Sequence, residues 1–144
     1  MSHVLVAVAI AVVVVVLSLL LYRVWLRRLA ADLKRILEQS GAILLVGPEI
    51  GFYQGMIRRI ISTETYGVIA LTDRRLVFRR PIGGNIDIPL SQIAEISENK
   101  WFAGNYRGGY KFLILKLADG TEKAFQVKHH DGWMQALGSI VSAA

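Results

Sequence analysis

The sequence predicts a mainly β domain, a barrel of short antiparallel strands closed at one end by a C-terminal helix, carried behind an N-terminal membrane-spanning helix. Three observations predict it. Val4 to Leu21 is apolar throughout except for Ser18. From Gly41 onward, short apolar segments alternate with Gly-, Asp- and Pro-containing turns, the pattern of a sandwich or barrel. Near the end, Trp133, Met134, Leu137, Ile140 and Val141 fall at helical spacing.

The apolar run is 18 residues long. As a helix it spans roughly 27 Å, close to the hydrocarbon thickness of a bilayer. Tyr22 and Trp25 follow at once, where aromatic rings favour the headgroup layer. A cleaved signal peptide is the rival reading. It requires basic residues before the run and small residues after it. Here Met1-Ser2-His3 carries no Lys or Arg and the run ends Leu-Leu-Leu-Tyr-Arg, so retention as an anchor is favoured.

Of 17 Lys and Arg and 11 Asp and Glu, five basic residues (Arg23, Arg27, Arg28, Lys34, Arg35) but only Asp32 and Glu38 lie in the stretch after the run, so half of the +6 surplus sits beside it. That placement argues for an anionic membrane surface and against nucleic acid as the partner. With no basic residue before the span, charge bias puts the N-terminus outside and the C-terminal part on the cytoplasmic side of a plasma or bacterial inner membrane. The chain has no cysteine. A disulfide framework, a thiolate metal site and a cysteine nucleophile are therefore excluded.

Leu26, Leu29, Leu33, Ile36 and Leu37 recur at three- and four-residue steps among charged residues, an amphipathic helix ended near Gly41. Its apolar stripe either packs on its own domain or on lipid, or zips two copies together over at most two heptads; the first is favoured. The organisation is then residues 1–25 as anchor, 26–40 as juxtamembrane helix and 41–144 as the β domain.

Within that domain, Ala42 to Val46 is a short apolar run broken by Gly47-Pro48. Met56 to Ile61 fits neither periodicity cleanly and is taken as strand. Tyr66 to Leu71 and Arg75 to Arg79 read as strands around a Thr72-Asp73-Arg74 turn, followed by a turn over Pro81 to Asn85. Ile86, Ile88 and Leu90 alternate, and Ile93 to Ser97 is the next strand. Gly104, Gly108 and Gly109 mark a long loop. Phe112, Ile114 and Leu117 mark a strand joined through Asp119-Gly120 to a strand over Ala124 to Val127. Asp131 suits the N-cap of the closing helix.

Gly67-Val68-Ile69-Ala70-Leu71-Thr72-Asp73-Arg74-Arg75-Leu76-Val77-Phe78 resembles the L-T-x-x-R-L-x-F hairpin of GRAM and bacterial PH-like domains. Ile88-Pro89-Leu90-Ser91-Gln92-Ile93, the Asp119-Gly120 hairpin and Trp133 in the closing helix match three further landmarks in order, over roughly residues 43–141. The resemblance implies a PH-like barrel: two near-orthogonal antiparallel sheets capped by the C-terminal helix. It implies that Leu71, Leu76 and Phe78 point into the core and that Trp133 plugs the open end. It also implies a non-catalytic binding module. Arg58-Arg59 does not match the basic pattern of phosphoinositide-binding members.

No catalytic constellation emerges. Adjacent His129 and His130 at a strand end point to opposite sides and seldom share one metal. No serine has a nucleophile-elbow context. The glycine pairs lack a Walker lysine. No catalytic residue, cofactor, metal or small-molecule substrate is expected. The candidate surface for a lipid or protein partner comprises Arg58, Arg59, Arg74, Arg79, Arg80, Lys100, Arg107 and Lys111, with Trp101-Phe102 as the candidate exposed apolar patch. The arginines either line one face toward anionic lipid headgroups or merely shield sheet edges and bridge to Asp73, Asp87 and Glu95. The expected function is a membrane-anchored, non-catalytic binding or scaffold module engaging a protein partner or its own copies. The alternative is anionic-lipid sensing through the arginine face.

Overall fold

A computed structural model describes residues 2–57, 61–82, 84–106 and 108–143. The apolar run and the amphipathic stretch form one uninterrupted helix, α1 (Ser2–Gln39). The chain then reverses at Gly41, whose φ of +77° lies in the left-handed region that a side chain disfavours. Among the described residues nine strands follow: β1 (Leu44–Ile57), β2 (Ile61–Thr72), β3 (Arg75–Arg79), β4 (Ile86–Pro89), β5 (Ile93–Asn99), β6 (Trp101–Phe102), β7 (Asn105–Tyr106), β8 (Phe112–Leu117) and β9 (Glu122–Val127). Helix α2 (His130–Ala143) closes the chain.

Seven strands form one antiparallel sheet in the order β4-β3-β2-β1-β9-β8-β5. The two halves expected of the barrel are therefore hydrogen-bonded through β1, which belongs to both. β1 pairs with β2 from Leu44↔Thr72 to Ile57↔Ile61 and with β9 from Gly51↔Val127 to Gln54↔Ala124. β6 and β7 form a separate small hairpin.

One expectation fails in β1. Gly47-Pro48 does not end the strand. The irregularity is absorbed as register shifts on either side of Val46, and pairing with β2 continues to Ile57. A bulge tolerates a proline without an N–H. The glycine is required there: its φ is +79°, and a Cβ would stand 2.6 Å from the Ile69 carbonyl oxygen. Gly67 on β2 is constrained differently, since a Cβ would lie 2.4 Å from the Arg79 carbonyl oxygen and 2.8 Å from the Phe78 ring.

The inner face of the sheet carries the main core. Tyr53, Ile69, Leu71, Leu76, Phe78, Leu113, Leu115 and Phe125 meet there, with Trp133 and Leu137 of α2. Leu71, Leu76, Phe78 and Trp133 are each fully buried. Burying side chains of this size stabilises the fold by about 1.5–3 kcal/mol apiece. Trp133 closes the end of the barrel, and its indole N–H donates to Glu49 Oε1 at 2.8 Å. A buried tryptophan otherwise leaves that donor unmet.

The β2–β3 turn is held by its own side chains. Thr72 Oγ1 accepts from the backbone N–H of Arg74 and Arg75 at 3.3 and 3.1 Å. Asp73 reaches further, accepting from the Ile43 N–H at 3.1 Å and so tying the turn to the chain entering β1. Asp131 is not the N-cap of α2. The helix starts at His130, with Trp133 N–H donating to the His129 carbonyl at 3.1 Å. Asp131 thus lies in the first turn, where the helix dipole still favours an anion.

Candidate functional site

The outer face of the sheet is covered in two places by two different elements. Over the β2–β3 side lies α1. Leu33 and Leu37 pack on Val68, Ala70 and Val77, with Leu29, Ala30 and Leu44 alongside. This explains why residues 68–71 and 76–78 read as continuous apolar runs rather than as alternating ones: both faces of these segments are covered. Of the amphipathic stripe, Leu26, Leu33 and Leu37 are buried and Ile36 is exposed. The stripe therefore packs on its own domain, and those three leucines are already occupied.

Over the other side lies the β6–β7 hairpin. Phe102 packs with Phe52, Phe112, Ile114 and Ala124 on the outer face of β1, β8 and β9. Phe102 and Phe112 centroids are 6.0 Å apart. Gln54 is wholly buried beneath it and donates to the Phe102 carbonyl at 3.4 Å. Phe102 is thus a correction to the expected exposed Trp101-Phe102 patch. In a two-residue strand, neighbours point to opposite sides. Trp101, 58% exposed, faces out and packs on Tyr106 with centroids 5.0 Å apart.

Between the two covers a strip of outer sheet stays open. It carries two adjoining concavities that share Ile50 and Tyr66. The first, about 530 Å³, lies against α1, where Leu19, Tyr22, Arg23, Leu26 and Arg27 form the opposite wall. The second, about 240 Å³, runs toward Tyr110, Lys111, Gln126 and Lys128. No carboxylate lines either one among the described residues. Tyr110 is 74% exposed, and its carbonyl accepts from Gln126 Nε2 at 3.2 Å, which pins the loop over β9. The strip is thus aromatic, apolar and basic, with His130 beside Lys111 and Lys128 in its second concavity.

The expected surface residues distribute around this strip unevenly. Lys111 lines it and also bonds Glu98 at 3.1 Å. Arg23 and Arg27 line its other end, whereas Arg28, Lys34 and Arg35 do not; Arg35 pairs with Asp32 at 3.3 Å. Arg74 is exposed at the β2–β3 turn beside Arg75, which forms an ion pair with Asp87. Arg79 and Arg80 stand at the far end of β3, and the Arg80 guanidinium sits 5.3 Å from the centroid of the Tyr53 ring. The Tyr53 hydroxyl is pushed above its ordinary range by burial, offset in part by that guanidinium. Lys100 is exposed beside Trp101. Arg58, Arg59 and Arg107 lie outside the described residues. The described arginines of the β domain are therefore brought to two ends of β3 rather than to the open strip.

The histidines part company as their spacing predicts. His129 Nδ1 lies 2.9 Å from Glu49 Oε2, and His130 Nε2 lies 2.6 Å from Glu98 Oε2. Glu49 thus receives both Trp133 and His129, a polar clasp between β1 and the start of α2. Glu98 is held below the ordinary carboxylate range, first by the hydrogen bond to His130 and then by that to Lys111.

Sequence reasoning missed Ile50, Tyr66, Tyr110 and Lys128. The signal was present only as aromatic and basic residues on separate strands and loops. They converge because β1 pairs β2 on one edge and β9 on the other.

No family model matches the chain, and no curated protein sequence matches it. Among solved structures, the chain is similar to the C-terminal domain of an unknown protein from Leishmania infantum, with TM-score 0.51 and 16% identity over 75% of this chain and 92% of that one. It is also similar to the N-terminal PH domain of Vps36, with TM-score 0.49 and 18% identity over 72% of this chain and 82% of that one. The first likeness speaks for a shared fold and for nothing about ligands; the second is too loose to carry an argument. The chain's own topology carries the fold: seven antiparallel strands in one sheet, closed by a C-terminal helix with a buried tryptophan.

Proposed function

We propose that this chain is a membrane-anchored, non-catalytic binding module that presents the open strip of its PH-like domain at the cytoplasmic face of the bilayer to a protein partner. One observation carries the reading. A single helix is apolar and wholly exposed along its first part, long enough to cross a membrane, and docked on the sheet along its last part. Signal sequences are also apolar and N-terminal, but their apolar segment has no docked continuation to support. Here the stripe that follows is built into the domain by Leu33 and Leu37, which favours a retained anchor. The exposed aromatic residues of the strip and the absence of catalytic geometry among the described residues favour binding over catalysis.

The test uses the full-length chain in native membranes with a photo-cross-linking residue at Tyr110, and at Asp119 on the opposite end of the domain as control. A saturable adduct from Tyr110 alone, resistant to alkaline extraction with the membrane, is the expected result. Recovery of the chain in the soluble fraction overturns the anchor. Equal adducts from both positions overturn the strip as the binding surface.

A further inference from the structure

We propose that the cleft between α1 and the β1–β2 hairpin holds one anionic glycerophospholipid, its phosphate between Arg23 and Arg27 and an acyl chain along the wall formed by Leu19, Ile50 and Tyr66. The inference rests on the anchored reading above and gives the α1 half of the open strip a lipid, leaving the half that bears Tyr110 to the protein partner; the two halves meet at Ile50 and Tyr66.

Position is the first ground. The cleft begins at Leu19, inside the last turns of the apolar run, and ends at Arg27. It therefore straddles the level at which a spanning helix passes from hydrocarbon to headgroups. The other wall, Ile50 and Tyr66, belongs to the folded domain. A lipid standing beside the helix at that depth meets protein on two sides.

Charge is the second ground. Arg23 and Arg27 are four residues apart and so lie on one helix face, with Cβ atoms about 5–6 Å apart. Like charges at that spacing repel. Neither forms an ion pair among the described residues; the ion pair on this helix is Arg35 with Asp32. With no carboxylate among the described lining residues, the two arginines border a space that offers them no counter-charge, and an external anion would supply it. A phosphodiester accepts hydrogen bonds from both, in the geometry guanidinium favours.

Shape is the third. A volume of about 530 Å³ lies within the range of formed ligand sites, roughly 300–1,000 Å³. Its walls are mainly apolar, with Ile50 at 38% and Tyr66 at 45% exposure. A soluble phosphate would leave those walls facing water. An acyl chain covers them, which selects a lipid over a free anion.

The experiment is native mass spectrometry of the full-length protein in mild detergent, titrated with dioleoyl-phosphatidylglycerol or with dioleoyl-phosphatidylcholine. One phosphatidylglycerol per chain is expected, retained in excess inorganic phosphate, with the zwitterionic lipid bound much more weakly. R23Q with R27Q should lower that retention by about thirtyfold. Arg28→Gln, in the same basic cluster but outside the cleft, should leave it unchanged. Ile50→Trp fills the cleft without touching a charge and should also lower retention. The proposal is overturned by equal retention of the two lipids, by displacement with inorganic phosphate, by an R28Q effect as large as the double substitution, or by full retention in Ile50→Trp. Alkaline extraction of the R23Q, R27Q chain separates this from the anchored reading. A variant that stays with the membrane but sheds the lipid supports the site, whereas a wild-type chain that washes off the membrane removes the ground for both.

Discussion

Residues 2–25 and 26–39 belong to one helix, yet they bury themselves in different ways. In the first part nothing is buried: Val4 through Leu21 are about half exposed or more around the whole circumference. In the second part only one stripe is buried, with Leu33 and Leu37 at 1% exposure against the sheet, while the charged residues between them face outward. The backbone does not change at the junction. What changes is the partner implied by the side chains. An apolar circumference asks for a solvent that is apolar on all sides, and an apolar stripe asks for one flat neighbour. The difference teaches that helix length alone does not delimit a span; on the anchored reading the boundary lies where the apolar surface narrows from a cylinder to a line.

The comparison breaks most readily in the first part. Val13→Arg with Val14→Arg should cost about 2.5–3.5 kcal/mol of insertion per arginine at the centre of a span. The full-length chain should then move from the alkali-resistant pellet to the soluble fraction, while the thermal midpoint of the β domain stays put. If the doubly charged chain still resists extraction, the first part is not the anchor.

The second part should show the reverse. Leu33→Ala or Leu37→Ala each removes a fully buried side chain and should destabilise the domain by about 2–5 kcal/mol. Denaturant unfolding of the full-length chain in detergent reads this, and membrane retention should not change. An unaltered unfolding midpoint would show that the helix does not dock.

The smallest effect lies away from the helix and tests whether acid weakens the domain independently of the anchor. Glu98 is held below its ordinary value of 4.5 by His130 and Lys111. As pH falls through that ordinary value the unfolded chain takes up a proton that the folded chain does not, so stability falls. The contribution is complete above the ordinary value and gone once pH drops below the lowered folded one. Glu98→Gln should flatten that part of the stability–pH curve and leave membrane retention untouched. The exposed setting makes the effect small.

Local features of the fold were legible and distant ones were not. The β2–β3 hairpin was readable because Thr72 writes its own turn, and β8 and β9 because Asp119-Gly120 does the same. The core positions Leu71, Leu76, Phe78 and Trp133 followed from alternation and from the resemblance. β1 was not readable from Gly47-Pro48 to Gly55, because a bulge and a strand end use the same residues; of Met56 to Ile61, taken as strand, Met56 and Ile57 end β1 and Ile61 opens β2, while residues 58–60 lie outside the described residues. Phe102 was misplaced because burial in a two-residue strand depends on which side of the hairpin faces the sheet. The open strip was invisible for a deeper reason. Its existence depends on two covers, α1 and the β6–β7 hairpin, stopping short of each other, and nothing near Ile50, Tyr66 or Tyr110 records where a distant element ends. Arg23 and Arg27 were singled out as members of a basic cluster; the cleft separates them from Arg28, Lys34 and Arg35.

The reversal at Gly41 sends β1 back alongside α1 instead of onward. On the anchored reading, the folded part then has no leash: it rides beside its own post at fixed height and orientation, and cannot sweep the volume that a flexible tether would allow. Encounters become a search in two dimensions, decided by lateral drift and by which side of the post an approaching molecule happens to meet.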